Sequence, residues 1–207
     1  MVIFALIPVK EPGKSKTRLS PYLNRDERSG LVKAMLSDVL NALNGLVVPL
    51  IITSADIEVK GCHILKEEKS QGLTQAVEEG KKYALEHGAE ATVFVPADTP
   101  LISRRHIEDI ISLGRKHMLI ISPARKGGVG IIYKRPPDLL SEHFSSTTFP
   151  DIINMAERRG LRYYIYDSFY VSLDIDKKED VIEFFHYGKG TATYTFLEKF
   201  RHRFIKE

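Results

Sequence analysis

Val2-Ile-Phe-Ala-Leu-Ile-Pro-Val9 opens the chain as an almost unbroken apolar run, and Lys10-Glu-Pro-Gly-Lys-Ser-Lys-Thr-Arg18 follows it with an abrupt change to cations and hydroxyls. A run of strand length without polar alternation fits a strand buried on both faces, the habit of parallel sheets. Comparable runs recur at Val47 to Thr53, Ala91 to Val95 and Met118 to Ser122. Between them the period lengthens. Leu31, Ala34, Met35, Asp38, Val39 and Ala42 fall at helical spacing within Asp26 to Leu43. Leu73 to Leu85 and Ser103 to Leu113 repeat the pattern, with Ser103 placed as an N-cap. Strands alternating with helices predict an α/β fold with a doubly wound, mostly parallel sheet.

Beyond Ser122 the rhythm loosens. Lys126-Gly-Gly-Val-Gly130 leads into the strand-like Ile131-Ile-Tyr133, and Pro136-Pro137 ends it. A polar stretch from His143 to Thr148 precedes a helix near Asp151 to Arg159, and Leu161 to Asp167 alternates like a strand. Residues 1–190 are expected to form one domain. Residues 191–207 add an amphipathic helix with Phe196, Phe200 and Phe204 on one face and Lys199, Arg201, Arg203 and Lys206 on the other. Such a stripe predicts packing on the body or a homodimer contact.

Composition narrows the function class. The 207 residues carry 30 Lys plus Arg against 27 Asp plus Glu, a net charge of +3, with 43% hydrophobic residues. That balance predicts a core-forming domain and argues against a disordered polyelectrolyte or a nucleic-acid-binding arm. The single cysteine, Cys62, excludes an internal disulfide and reads as a small buried hydrophobe in a reducing, cytoplasmic setting. The opening run is too short to span a bilayer, so no membrane attachment is expected. Few Gln (Gln71, Gln75) and Asn (Asn24, Asn41, Asn44, Asn154) beside many charges is a bias expected of heat-adapted chains. The histidines lack metal-ligand spacing, His143 alone lying near a loop of interest.

Three segments have the makings of a site. Lys10, Lys14, Lys16 and Arg18, at the carboxyl end of the first strand, stand where open α/β sheets bind ligands, and favour a triphosphate. A Walker A loop is excluded, because Pro8 occupies the place of its first glycine relative to Gly13-Lys14-Ser15. Val93-Phe-Val-Pro-Ala-Asp98-Thr-Pro100 ends a buried strand in a carboxylate suited to magnesium, or to capping the next helix, a task for which Ser103 is better placed. In Val171-Ser-Leu-Asp174-Ile-Asp176 two carboxylates two residues apart point the same way on extended chain, one as a metal ligand and the other, Asp176, as a cap for the helix from Lys177. Carboxylates converging on one ion suit phosphoryl-group transfer.

Taken together, Ile7-Pro-Val-Lys10, Lys16-Thr-Arg-Leu19, Ala34-Met-Leu-Ser-Asp38-Val-Leu40, Pro96-Ala-Asp98-Thr-Pro-Leu101, Ser122-Pro-Ala-Arg125, Gly127-Gly128 and Leu173-Asp-Ile-Asp176 resemble the 2-phospho-L-lactate guanylyltransferases of deazaflavin coenzyme biosynthesis. The resemblance spans about residues 3–185. It implies a nucleotide-diphospho-sugar transferase-like, family-A glycosyltransferase-like fold. It also implies transfer of GMP from GTP to the phosphate of 2-phospho-L-lactate or phosphoenolpyruvate, with release of pyrophosphate and magnesium as cofactor. By that resemblance Pro8, Val9, Lys10, Lys16, Arg18, Gly72, Leu73, Thr74, Pro96 and Asp98 would bind the nucleotide, with Lys10, Lys16, Arg18 and Asp98 catalytic. Asp98, Asp174 and Asp176 would hold the metal, and Arg125, Gly127, Gly128 and Thr148 the acceptor. The family pattern is broken at the acceptor end, where Val129-Gly130 follow the double glycine, Ile152 replaces a histidine and Thr74 an asparagine. A sugar-phosphate nucleotidyltransferase and a non-catalytic nucleotide-binding protein are the alternatives.

Overall fold

The computed structural model describes residues 1–205 and orders seven strands as β3-β2-β1-β4-β6-β5-β7. These are β1 (Ile3–Pro8), β2 (Val48–Thr53), β3 (His63–Lys66), β4 (Ala91–Phe94), β5 (Leu119–Pro123), β6 (Val129–Lys134) and β7 (Tyr163–Ile165). β1 lies between β2 and β4 and runs parallel to both. Its side chains alternate between two cores: Ile3, Ala5 and Ile7 enter one, Phe4 and Leu6 the other. Burial on both faces is why the opening run is apolar at every position.

The first core is covered by α1 (Arg25–Leu43), α3 (Arg104–Leu113) and α6 (Lys178–Tyr187); the second by α2 (Leu73–Glu86) and α4 (Thr148–Arg158). Helices on both faces make the sheet doubly wound, as expected. The exception to parallel pairing is β6, antiparallel to both neighbours. Only the turn at Arg125–Gly127 separates it from β5, far too short for the crossover that a parallel partner needs.

The helix expected near Asp151 begins three residues earlier, at Thr148, and a single helical turn, α5 (Phe169–Ser172), precedes the Asp174 segment. The carboxyl-terminal tail is two short helices, α7 (Ala192–Glu198) and α8 (Arg201–Phe204), broken at Lys199 and Phe200, and Leu197 and Phe204 both reach the first core. The Asp38 carboxylate of α1 accepts the N–H groups of Ala192 and Thr193, at 2.7 and 2.9 Å, and so caps α7. The Phe196 ring fills the space over Gly30. The aromatic stripe is thus taken up by the chain's own body, which removes the argument for a homodimer based on it. Lys206 lies outside the described residues. Among the described residues no helix is long and apolar enough to cross a membrane.

Candidate active site

Strand pairing carries the backbone straight to the ligand edge. Val9 N–H donates to the Ile52 carbonyl at 2.8 Å and Val95 N–H to that of Leu6 at 3.0 Å, so the segments leaving β1 and β4 depart side by side. After β1 the chain makes two single helical turns, Pro12–Lys14 and Thr17–Leu19, with Lys16 between them at φ 55°, ψ 37°. A left-handed lysine costs about 1–2 kcal/mol. It turns the side chain inward, where Nζ sits 2.6 Å from Asp98 Oδ2 and 3.9 Å from Asp176 Oδ1 with only 8% of the side chain exposed. Arg28 steadies the loop from α1 by donating to the carbonyls of Ser15 and Leu23.

Across the edge, the Asp98 carbonyl accepts Ile175 N–H at 3.1 Å, lacing the two acidic segments together. Leu173 and Ile175 are fully buried, which leaves Asp174 and Asp176 on the opposite side of the extended chain. Asp176 does not cap the following helix. Asp180, one turn into α6, takes that place by accepting the N–H groups of Asp176 and Lys177 at 3.0 and 2.9 Å. Asp176 is therefore free to hold Arg18 Nη1 at 2.8 Å. At the next helix, Ser103 does mark the start of α3, with its N–H donated to His106 Nδ1 at 3.0 Å.

These groups wall a cleft of about 470 Å³ lined by Pro8, Val9, Lys10, Lys16, Arg18, Gly72, Leu73, Pro96, Asp98 and Asp176. A second hollow of about 360 Å³ holds Arg125, Gly128, Phe144, Ser145, Thr148 and Asp174. The two meet at Leu73, Phe94, Pro96 and Asp98. A larger hollow of about 730 Å³ beneath α1 shares only Val9 and Val32 with the cleft and contains none of the three aspartates.

Four expected residues take unexpected roles. Thr74 lines neither hollow; its Oγ1 accepts Phe144 N–H at 3.0 Å, tying α2 to the loop that leads into α4. The Thr148 hydroxyl is used within its own turn, accepting Ser145 N–H and donating to the Ser145 carbonyl at 2.7 Å. Gly127, at φ 82°, lets the Ser146 carbonyl approach so closely that a Cβ would collide with it. Arg125 reaches the second hollow, but Glu183 holds both its terminal nitrogens, one at 2.6 Å. Glu67, buried in the wall of the first cleft at the end of β3, carried no signal in the sequence beyond lying in a charged stretch. Cys62 is half-buried and away from all of this; burial pushes its thiol pKa up.

The charges are strongly coupled. Burial alone would push the Lys16 ammonium down, yet attraction from Asp98, then Asp176 and Asp174, leaves its pKa raised. Asp174 is raised by burial and by repulsion from Asp98, which Lys16 only partly offsets. Two carboxylates repelling one another at a cleft edge form a donor set of hard oxygens that suits a divalent cation. Among the described residues no three acidic, histidine or cysteine side chains group into a cage. A magnesium-type ion needs none, because one or two carboxylates with substrate phosphates and water complete its shell.

Residues 3–206 match the protein family described as "Guanylyl transferase CofC like". The chain belongs to that family. It is 37% identical over 197 residues to the 2-phospho-L-lactate guanylyltransferase of Methanocaldococcus jannaschii, covering 93% of this chain and 87% of that protein. Among solved structures it resembles one described as a nucleotide-diphospho-sugar transferase from Desulfovibrio desulfuricans G20, with TM-score 0.81, 19% identity, and 99% and 97% of the two chains covered. It also resembles the manganese complex of Rv0371c from Mycobacterium tuberculosis H37Rv, with TM-score 0.55, 16% identity, and 88% and 97% covered. The fold class read from the strand runs is thereby borne out, and the CofC-like chain is a nucleotidyltransferase.

Proposed function

We propose that the chain transfers GMP from GTP to the phosphate of 2-phospho-L-lactate, or of the related phosphoenolpyruvate, releasing pyrophosphate in deazaflavin coenzyme biosynthesis. The observation that carries the reading is the shared wall at Asp98: a cation-lined cleft of triphosphate size opens there onto a smaller hollow for a three-carbon acid. The relatives' printed activity supplies the acceptor's identity.

The chemistry needs no general base. An acceptor phosphate is already an anionic nucleophile; its oxygen forms the new bond to the α-phosphorus of GTP while the α–β bridging P–O bond breaks and pyrophosphate departs. The difficulty is bringing two anions together, so catalysis consists of positioning and charge stabilisation. Lys10, exposed at the cleft rim, and Lys16 act as point charges for the triphosphate, whereas Arg18 offers a planar fork for phosphate oxygens. Asp98 with Asp174 or Asp176 would hold magnesium, which neutralises phosphate charge and assists the leaving group. In the second hollow Arg125 would serve the acceptor's carboxylate by exchanging Glu183 for it, and the Gly127-Gly128 turn supports the acceptor loop.

Incubation of the purified protein with GTP, magnesium and each acceptor should release pyrophosphate and form a diphosphodiester of the expected mass. Chelation should stop the reaction and added magnesium restore it. Failure of every nucleotide and three-carbon acceptor to react would sink the proposal.

A further inference from the structure

The β3 end of the nucleotide cleft carries one acidic side chain. Glu67 follows β3, and its N–H continues the pairing to the Thr53 carbonyl at 2.9 Å. It is only 9% exposed and faces the cleft together with Ile52, Ser70, Gly72 and Leu73. Burial, then the nearby Glu79, raises its pKa. The nearby Gln71 N–H partly lowers it, and among the described residues no cation offsets its charge. A carboxylate on the cleft wall with spare acceptor capacity and no positive partner among the described residues offers its lone pairs to a ligand that brings donors.

Strand order fixes where that carboxylate sits relative to the phosphates. β3, β2, β1 and β4 are consecutive, so the ends of β3 and β4 lie three strand spacings apart, about 14 Å at the usual separation. That is comparable to the span of an extended nucleoside triphosphate. With its phosphates at Lys16 and Asp98, the nucleotide's base reaches the β3 end of the cleft.

Resting on the guanylyl-transfer reading above, we infer that Glu67 is the residue that selects guanine. A carboxylate only accepts hydrogen bonds. The Watson–Crick edge of guanine presents adjacent donors, N1–H and the N2 amine, which match the two carboxylate oxygens as a charge-assisted pair. Adenine turns the bare acceptor N1 to the same position. Uracil offers one donor between two carbonyls, and hypoxanthine lacks the second donor. A site that leaves a buried polar group unpaired rejects the wrong ligand strongly.

The alternative role for Glu67, steadying the 67–72 loop through the nearby Gln71 N–H, is kept by Glu67→Gln, whose amide oxygen can still accept from that group. Dissociation constants and kcat/KM for GTP, ITP, XTP and ATP would be compared between the parent and Glu67→Gln. The parent should prefer GTP over ITP and ATP. In Glu67→Gln, GTP should weaken by about 10- to 100-fold, as for loss of a charged hydrogen bond, and the GTP to ITP ratio should shrink. XTP should gain relative to GTP, because the glutamine amide can donate to its second carbonyl while accepting from N1–H. Unchanged base ratios in a folded Glu67→Gln overturn the inference. Should that variant fail to fold, Glu67→Asp replaces it: retraction of the carboxylate should weaken GTP more than ATP, and equal weakening overturns the inference. Because dissociation constants are read without acceptor, a parent that binds GTP selectively but transfers nothing defeats the transfer reading while leaving base selection supported.

Discussion

Lys16 Nζ lies 2.6 Å from Asp98 Oδ2, joining the loop after β1 to the turn after β4 across 82 residues of sequence. The lysine is left-handed with its side chain buried, and its ammonium is held charged by the aspartates around it. The backbone strain is offset by placing one fixed positive charge at the mouth of the cleft, the kind of preorganisation that stabilises developing negative charge.

Lys16→Met should accordingly lower kcat by about 10²- to 10³-fold, the scale of losing one preorganised electrostatic group. Lys16→Arg should restore only part, since a planar fork cannot occupy the same contact. Steady-state pyrophosphate release alongside a thermal melt checks this. A variant with parental kcat would remove Lys16 from the machinery.

The Thr74 hydroxyl joins the nucleotide side of the site to the acceptor side through Phe144 N–H, and the Phe144 ring packs 4.7 Å from that of Phe94. Thr74→Val removes the acceptor and leaves that N–H unpaired, a loss of about 1 kcal/mol. KM for the phosphorylated acid should rise by roughly fivefold to tenfold with KM for GTP unchanged, and Thr74→Ser should behave as the parent. A rise confined to KM for GTP would show that Thr74 serves the nucleotide instead, and an equal rise in both would contradict a role specific to the acceptor.

Much of this arrangement was legible because local pattern and topology agree. The Val2 to Val9 run announces a strand buried on both faces, and the carboxyl-edge rule then brings Lys16, Asp98 and the Asp174 segment together without knowledge of their contacts. Partner choice was not legible. Arg125 pairs with Glu183, 58 residues away, and no local feature distinguishes that glutamate from its neighbours. Asp176 looked like a helix cap by position, but Asp180 reaches back to the same N–H groups from inside the helix. Thr148 matches the acceptor loop by position, but its hydroxyl is spent on the turn at Ser145. In the tail, four-residue phenylalanine spacing predicts one helix, whereas the chain forms two, broken at Lys199 and Phe200, a break that the burial of Leu197 and Phe204 on one face does not explain.

Glu27 should make stability depend on pH. Its carboxylate accepts Asn24 N–H at 2.7 Å, closing the capping box of α1, and Arg203 Nη1 from α8 at 2.9 Å. The Asn24 hydrogen bond, with the Arg203 contact, outweighs desolvation and holds the carboxyl below the ordinary glutamate range. A depressed native pKa means that the unfolded chain binds more protons, so this stability is full above about pH 4.3 and is lost as pH falls through the native value. Near neutrality Glu27→Gln, whose amide oxygen can still accept Asn24 N–H but which loses the charge facing Arg203 and the helix start, should destabilise the protein by about 0.5–1 kcal/mol. Melts of parent and variant should converge on acidification; a constant gap would contradict the assignment.

The loop carrying Phe144 and Ser145 is anchored by a buried ion pair one residue upstream of His143. Lys134 Nζ donates to Glu142 Oε2 at 2.7 Å and to the Leu140 carbonyl at 2.9 Å, with the two side chains 2% and 3% exposed. Burial lowers the lysine's pKa despite the attraction of Glu142, and Glu142 Oε1 has no hydrogen-bond partner. Desolvation on this scale makes the pair a poor source of net stability, yet removal of one member strands the other charge in the core. Lys134→Met or Glu142→Leu alone should destabilise by about 3–5 kcal/mol, a fall in Tm of roughly 10 °C for a chain of this size. The double variant should recover most of that loss, since neither charge remains. Calorimetry of the four proteins closes the cycle, and additive losses would mean that the two side chains do not depend on one another.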